Sequence, residues 1–125
     1  MVIERYKVRL VSKGFAQTYG INYQETFAHA TKLNTIQILL SLAANLNWKL
    51  QQLDIKNDFL NGDLEEKVYM NLPPGFDKGS SDRICKLRKS LYGLKQSFRA
   101  WFNRFTMAFK EQGFRQAQTN HTLFF

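Results

Sequence analysis

The chain has 125 residues, 44% hydrophobic and 14% aromatic, with a formal net charge of +8, which fits one globular domain or part of a larger one. It contains no run of about 18 apolar residues, and Met1–Lys7 has no apolar stretch of signal-peptide length, so neither a membrane span nor a secretory signal is expected. Cys85 is the only cysteine. An internal disulfide is therefore excluded, and a reducing, intracellular and cytoplasmic setting is expected.

The charge is unevenly placed. From Arg83 to Lys110 stand eight basic residues (Arg83, Lys86, Arg88, Lys89, Lys95, Arg99, Arg104, Lys110) and no acidic one, while five of the ten acids fall between Asp54 and Glu66. A smaller basic group lies at Arg5, Lys7, Arg9 and Lys13. Such faces attract polyanions, nucleic acid above all. An ordinary solvated surface, or a patch that meets another part of a larger protein, would show the same pattern.

In chain order, Tyr6–Val11 alternates polar and apolar residues, as a half-buried strand does, and puts Lys7 and Arg9 on one face. A loop follows to about Thr31, with Tyr19, Tyr23 and Phe27 expected to anchor it. Asn34 and Gln37 have capping-box spacing ahead of an apolar helix expected over Thr35–Asn45. Trp48–Leu53 reads as a strand ending at Asp54, and Asn57–Leu60 as a tight turn or short helix stopped by Gly62. An aspartate at the end of a buried strand is costly unless a metal, a cation or backbone N–H groups pair with it. With Phe59 as a wall, Asp54 suggests a metal-and-phosphate site; a solvated turn or helix cap is the plainer alternative.

Lys67–Leu72 is a second alternating strand, stopped by Pro73-Pro74-Gly75, and Ile84–Leu87 a third that could pair with it. Cys85 sits there as a small strand residue. Lys89–Gln96 is a compact turn, and Ser97 a fair N-cap for a helix with the aromatic stripe Phe98, Trp101, Phe102, Phe105 and Phe109, closed by Gly113 at C′. That stripe is expected to be core. His121–Phe125 reads as a strand just begun, and His29 and His121 as ordinary surface residues.

Three ordered stretches resemble the reverse transcriptase of copia-type LTR retrotransposons: Tyr6–Gln17, Leu53–Gly62 and Leu91–Phe102. The spacers Thr26–Ala28, Leu33–Ile36, Val68–Met70 and Leu72–Phe76 match as well. The resemblance covers essentially the whole chain. It implies an α+β fold, a partial polymerase palm with fingers elements, in which an antiparallel sheet packs on two main helices and stays incomplete at the C-terminus. About residues 1–47 would be fingers-like with the first helix, and about 48–125 partial palm with fingers elements.

The resemblance makes Asp54 the first catalytic carboxylate, holding Mg²⁺ together with the Ile55 backbone, in a reaction that adds deoxynucleotides to a primer by two-metal catalysis. Lys7, Arg9, Lys56, Asn57, Phe59 and Tyr92 would face the dNTP, with Phe59 as the gate against a ribose 2′-OH. Gly93, Lys95 and Arg99, with Lys86 and Lys89 of the basic stretch, would lie along the nucleic acid. The implied partners are an RNA template, an RNA–DNA hybrid, dNTP and the rest of a polyprotein.

Departures from the family pattern stand at Asp58 (a small residue, mostly Ala), Phe98 (Pro) and His29 (Pro), as in a copy that has drifted. The family's Tyr-x-Asp-Asp hairpin would lie beyond Leu123. From its absence we expect no polymerisation by this chain alone, an unpaired edge beside Asp54, and partly uncovered helix faces. A non-catalytic nucleic-acid-binding module and a relic without activity are the alternatives.

Overall fold

The structure is a computed structural model that describes residues 8–73, 75–76 and 83–125. Helix α1 spans Leu33–Asn45 and α2 Ser97–Glu111; strands β1 and β2 span Tyr69–Asn71 and Ile84–Lys86. Short 3₁₀ turns occupy Gly14–Ala16 and Asp58–Asn61. The α+β class holds. No helix among the described residues is long and apolar enough to cross a membrane.

The expected hairpin forms. β1 and β2 are antiparallel, with Tyr69 opposite Lys86, Met70 opposite Cys85 and Asn71 opposite Ile84. Leu87 N–H donates to the Val68 carbonyl at 2.8 Å and extends the pairing. Cys85 is half-buried, and its thiol donates to the Met70 carbonyl, which suits a small strand residue.

Both helices close with an αL residue. In α2, Gly113 has φ +90, Phe114 N–H donates to the Phe109 carbonyl, and Gly113 N–H donates to that of Lys110. This is a Schellman motif, and the 5.2 Å contact of the Phe109 and Phe114 rings is its apolar clasp. In α1, Asn47 (φ +52) takes the same role, with Trp48 N–H on the Ala43 carbonyl. The starts differ from expectation. α1 begins at Leu33 after Lys32, so Asn34 lies inside the first turn and caps nothing. α2 begins at Ser97 after Gln96, and the Ser97 hydroxyl instead donates to the Leu91 carbonyl.

Two further expectations fail. Trp48–Leu53 forms no strand: the segment is exposed and has no ladder partner among the described residues. A strand satisfies its backbone groups only by pairing; without a neighbour they stay with water. Nor does the sheet pack on either helix: among the described residues α2 meets the Asp58–Asn61 turn, and α1 approaches no other element closely and buries only Ala43. Two polar tethers hold its N-terminal end: the Asn120 amide donates to Thr35 Oγ1 (3.0 Å) and Lys32 Nζ to the Thr119 carbonyl (3.3 Å).

The core sits instead around the turn before α2. Val68, Leu94, Ala100 and Phe102 are buried there, along with Ser90, Gln96 and Ser97. The Ser90 hydroxyl donates to the Phe59 carbonyl, and Ser90 N–H to that of Gly62. Gln96 accepts from the Gln17 amide (3.0 Å) and donates to the Asn22 carbonyl (3.2 Å). Gln17 and Asn22 therefore fasten the loop that Tyr19, Tyr23 and Phe27 were expected to anchor; Tyr19 and Phe27 are exposed, and Tyr23 is half-buried. At the C-terminus, Arg115 and Phe125 exchange backbone hydrogen bonds and Ala117 N–H donates to Leu123, so the expected strand start closes a small hairpin.

Candidate functional site

Where the Ser90–Ser97 turn meets the Asp58–Asn61 turn, several of the expected site residues come together. Ser12 N–H donates to the Tyr92 carbonyl at 2.7 Å, and Val11 and Tyr92 form a parallel bridge. This brings the segment holding Arg9 to Tyr92, and the guanidinium lies 5.7 Å from the Tyr92 ring centre. That is within cation–π range. Phe59 meets Tyr92 edge to face at 5.3 Å and Phe98 at 6.4 Å. The Tyr92 hydroxyl donates to Asp58 Oδ1 at 3.3 Å. The corner therefore has a cation, two aromatic walls and one carboxylate.

Asp54 stands apart from this packing. It lies with Ile55 and Lys56 in an exposed, irregular segment. Asn57 follows in the left-handed region at φ +54, and the Asn61 amide donates to the carbonyls of Lys56 (3.4 Å) and Asn57 (3.3 Å). The turn after Asp54 is thus pinned while Asp54 itself faces solvent. No group of three or more His, Cys, Asp or Glu side chains able to hold a metal forms among the described residues.

The remaining candidates are distributed. Lys7 lies outside the described residues. Gly93 has φ +90 and passes close to Ser12 and Val11. Lys95 is exposed, and its backbone N–H donates to Gln17 Oε1 at 2.8 Å. Lys86 is exposed on β2, and the backbone of Lys89 pairs with that of Asp63 in a short antiparallel contact. Arg99 forms an ion pair with Glu66. Glu66 of the 54–66 segment therefore folds onto the basic stretch that the sequence shows uninterrupted, and it offsets part of its field. Asp58, Glu66 and Gln17 were missed as partners. Each lies 33 or more residues from the group it meets, a separation that no local spacing reveals.

The Reverse transcriptase (RNA-dependent DNA polymerase) family model matches residues 1–125. The chain is 46% identical over 122 residues to the retrovirus-related Pol polyprotein from transposon TNT 1-94 of Nicotiana tabacum, covering 97% of this chain and 9% of that protein. It is 44% and 45% identical over 123 residues to those from transposons RE2 and RE1 of Arabidopsis thaliana, covering 98% of this chain and 8% of each. The chain thus spans less than a tenth of these relatives' length. No solved structure matches it. Read with the three ordered motifs along its length, these matches show that the chain belongs to the reverse transcriptase family, as a segment of a copia-type retrotransposon Pol polyprotein.

Proposed function

We propose that this segment supplies the nucleotide-facing corner of an RNA-directed DNA polymerase, part palm and part fingers, and that it does not polymerise alone. The observation that carries the reading is the meeting of Arg9, Phe59 and Tyr92 from three separate motifs at one corner. A cation beside two aromatic walls suits a triphosphate next to a sugar and base. Phe59, held edge-on by Tyr92, is the wall on the sugar side. Arg9 supplies positive charge at the mouth, and Lys56 and Asn57 present the turn that follows Asp54.

The Asp54 carboxylate and the Ile55 carbonyl are hard oxygen donors of the kind Mg²⁺ takes. They do not make a two-ion site, because two-metal catalysis needs several carboxylates to fix both ions, and among the described residues Asp54 belongs to no group of three ligating side chains. When bound, Mg²⁺ would neutralise phosphate charge. The chain's own residues only orient the nucleotide beside it.

A primer-extension assay with the purified chain, an RNA template, a DNA primer, Mg²⁺ and dNTPs tests the inactivity, and template-dependent extension would sink it. Binding of a labelled RNA–DNA hybrid at low salt, weakening as salt rises, is expected from Lys86, Lys89, Lys95 and Arg99. Failure to bind even at low salt would argue for a relic without function.

A further inference from the structure

We propose that His29 and His121 form a binding site for a tetragonal divalent transition-metal ion, Cu²⁺ or Ni²⁺. The two imidazoles come from opposite ends of the chain. His29 lies in the loop before α1, and His121 in the turn of the C-terminal hairpin. Their ring centres are 4.1 Å apart and the planes are tilted by 33°. Read singly, each is an ordinary surface histidine; the fold makes them a pair.

The separation is short enough for both imidazoles to reach one ion. Imidazole with water in the remaining positions is a ligand set that Cu²⁺ and Ni²⁺ take in tetragonal geometry, whereas structural Zn²⁺ sites use four protein ligands. Cu²⁺ also heads the affinity order for such ligands. Both rings are exposed, which leaves room for water at the remaining positions.

The pair is also positioned in advance. The His29 ring stands edge-on to Phe27 at 6.3 Å and to the buried Phe102 at 5.9 Å. The His121 carbonyl accepts from the Gln116 amide at 2.6 Å. Buried Asn120 beside it accepts from both the backbone and the hydroxyl of Thr122. The cation of Lys32 is engaged on the Thr119 carbonyl. A bound ion would clip the 27–31 loop to the C-terminal hairpin, next to the tethers of α1. Nothing in this site calls on Asp54 or on nucleotide binding.

The test is Cu²⁺ titration of the untagged 125-residue chain, read by calorimetry and by electron paramagnetic resonance. One ion should bind with nitrogen splittings from two imidazoles. His29→Gln and His121→Gln should each lower the affinity by roughly tenfold or more, as losing one of two chelating ligands does, and should remove one nitrogen from the spectrum. Asp54→Asn should change neither readout. Circular dichroism of each variant checks that its fold is intact, and both rings are exposed enough for the exchange to be tolerated. No binding by the parent chain, parent-like binding by either histidine variant, or loss of binding in Asp54→Asn would each overturn the assignment.

Discussion

Gly14 and Gly93 decide whether the loop after Arg9 can reach the Tyr92 turn. A Cβ on Gly14 would fall on the Gly93 carbonyl oxygen, and one on Gly93 would stand 2.9 Å from Val11 Cγ1. This close backbone approach is what allows Ser12 to bond Tyr92 and brings Arg9 to the ring. Gly14→Ala is therefore expected to force the two loops apart and to lower stability by about 1–3 kcal/mol, as overpacking does. Urea unfolding measures the loss, and a change below about 0.5 kcal/mol, the level of a neutral surface exchange, would show that the loops do not meet this closely. The same reasoning separates Asp58 from Asp54. Asp58 is engaged by Tyr92 and contributes to holding the corner, whereas Asp54 is left to solvent.

At the scale of elements, the two helices behave oppositely. The aromatic stripe of α2 forms a ladder: Trp101 meets Phe105 at 5.3 Å, Phe105 meets Phe109 at 4.4 Å, and Phe124 of the C-terminal hairpin closes on both. Truncating Phe105 removes the middle rung, and Phe105→Ala is expected to cost about 2–4 kcal/mol, below a fully buried phenylalanine because the ring is only half-buried. Leu40→Ala on α1, where the side chain is 50% exposed, is expected to cost less than about 1 kcal/mol. Paired chemical-denaturation curves check both, and equal losses would mean that α1 is packed in solution. Legibility from the sequence follows the same division. The Gly113 cap and the α2 stripe were readable because each depends on residues a few positions apart, and the β1–β2 hairpin because two alternating segments follow one another with Pro73-Pro74-Gly75 as a stop between them. The strand before Asp54 was not, because Trp48–Leu53 has no pairing partner among the described elements. The Arg9–Phe59–Tyr92 corner was foreseen only as a set of roles implied by resemblance. Its geometry depends on long-range bonds from Ser12 and Ser90 that periodicity does not encode.

At the scale of the whole molecule, the decisive quantity is surface. A compact chain of 14.7 kDa would expose about 6,900 Å², whereas this one exposes 10,813 Å². Apolar side chains account for part of the difference: Leu33, Ile38, Leu40, Leu46, Trp48, Leu50 and Leu53 are all half or more exposed. α1 and the segment leading to Asp54 therefore contribute little burial, and an isolated helix of 13 residues is marginal in water. Two consequences follow for the chain by itself. Less surface is released on unfolding, so the urea m-value should be about a quarter below that of a compact domain of this length, because m scales with the area exposed. Backbone amides of α1 should also exchange with solvent well before those of α2, since local stability tracks burial. Hydrogen exchange and urea unfolding on the same sample, with its association state fixed by sedimentation, measure both. A full-sized m-value and a protected α1 in a monomeric sample would show that the helix finds cover within the chain. The same values in an oligomer would show that other copies provide it. A low m-value with an unprotected α1 would place the weakest burial in α1 and the exposed segment that leads to Asp54.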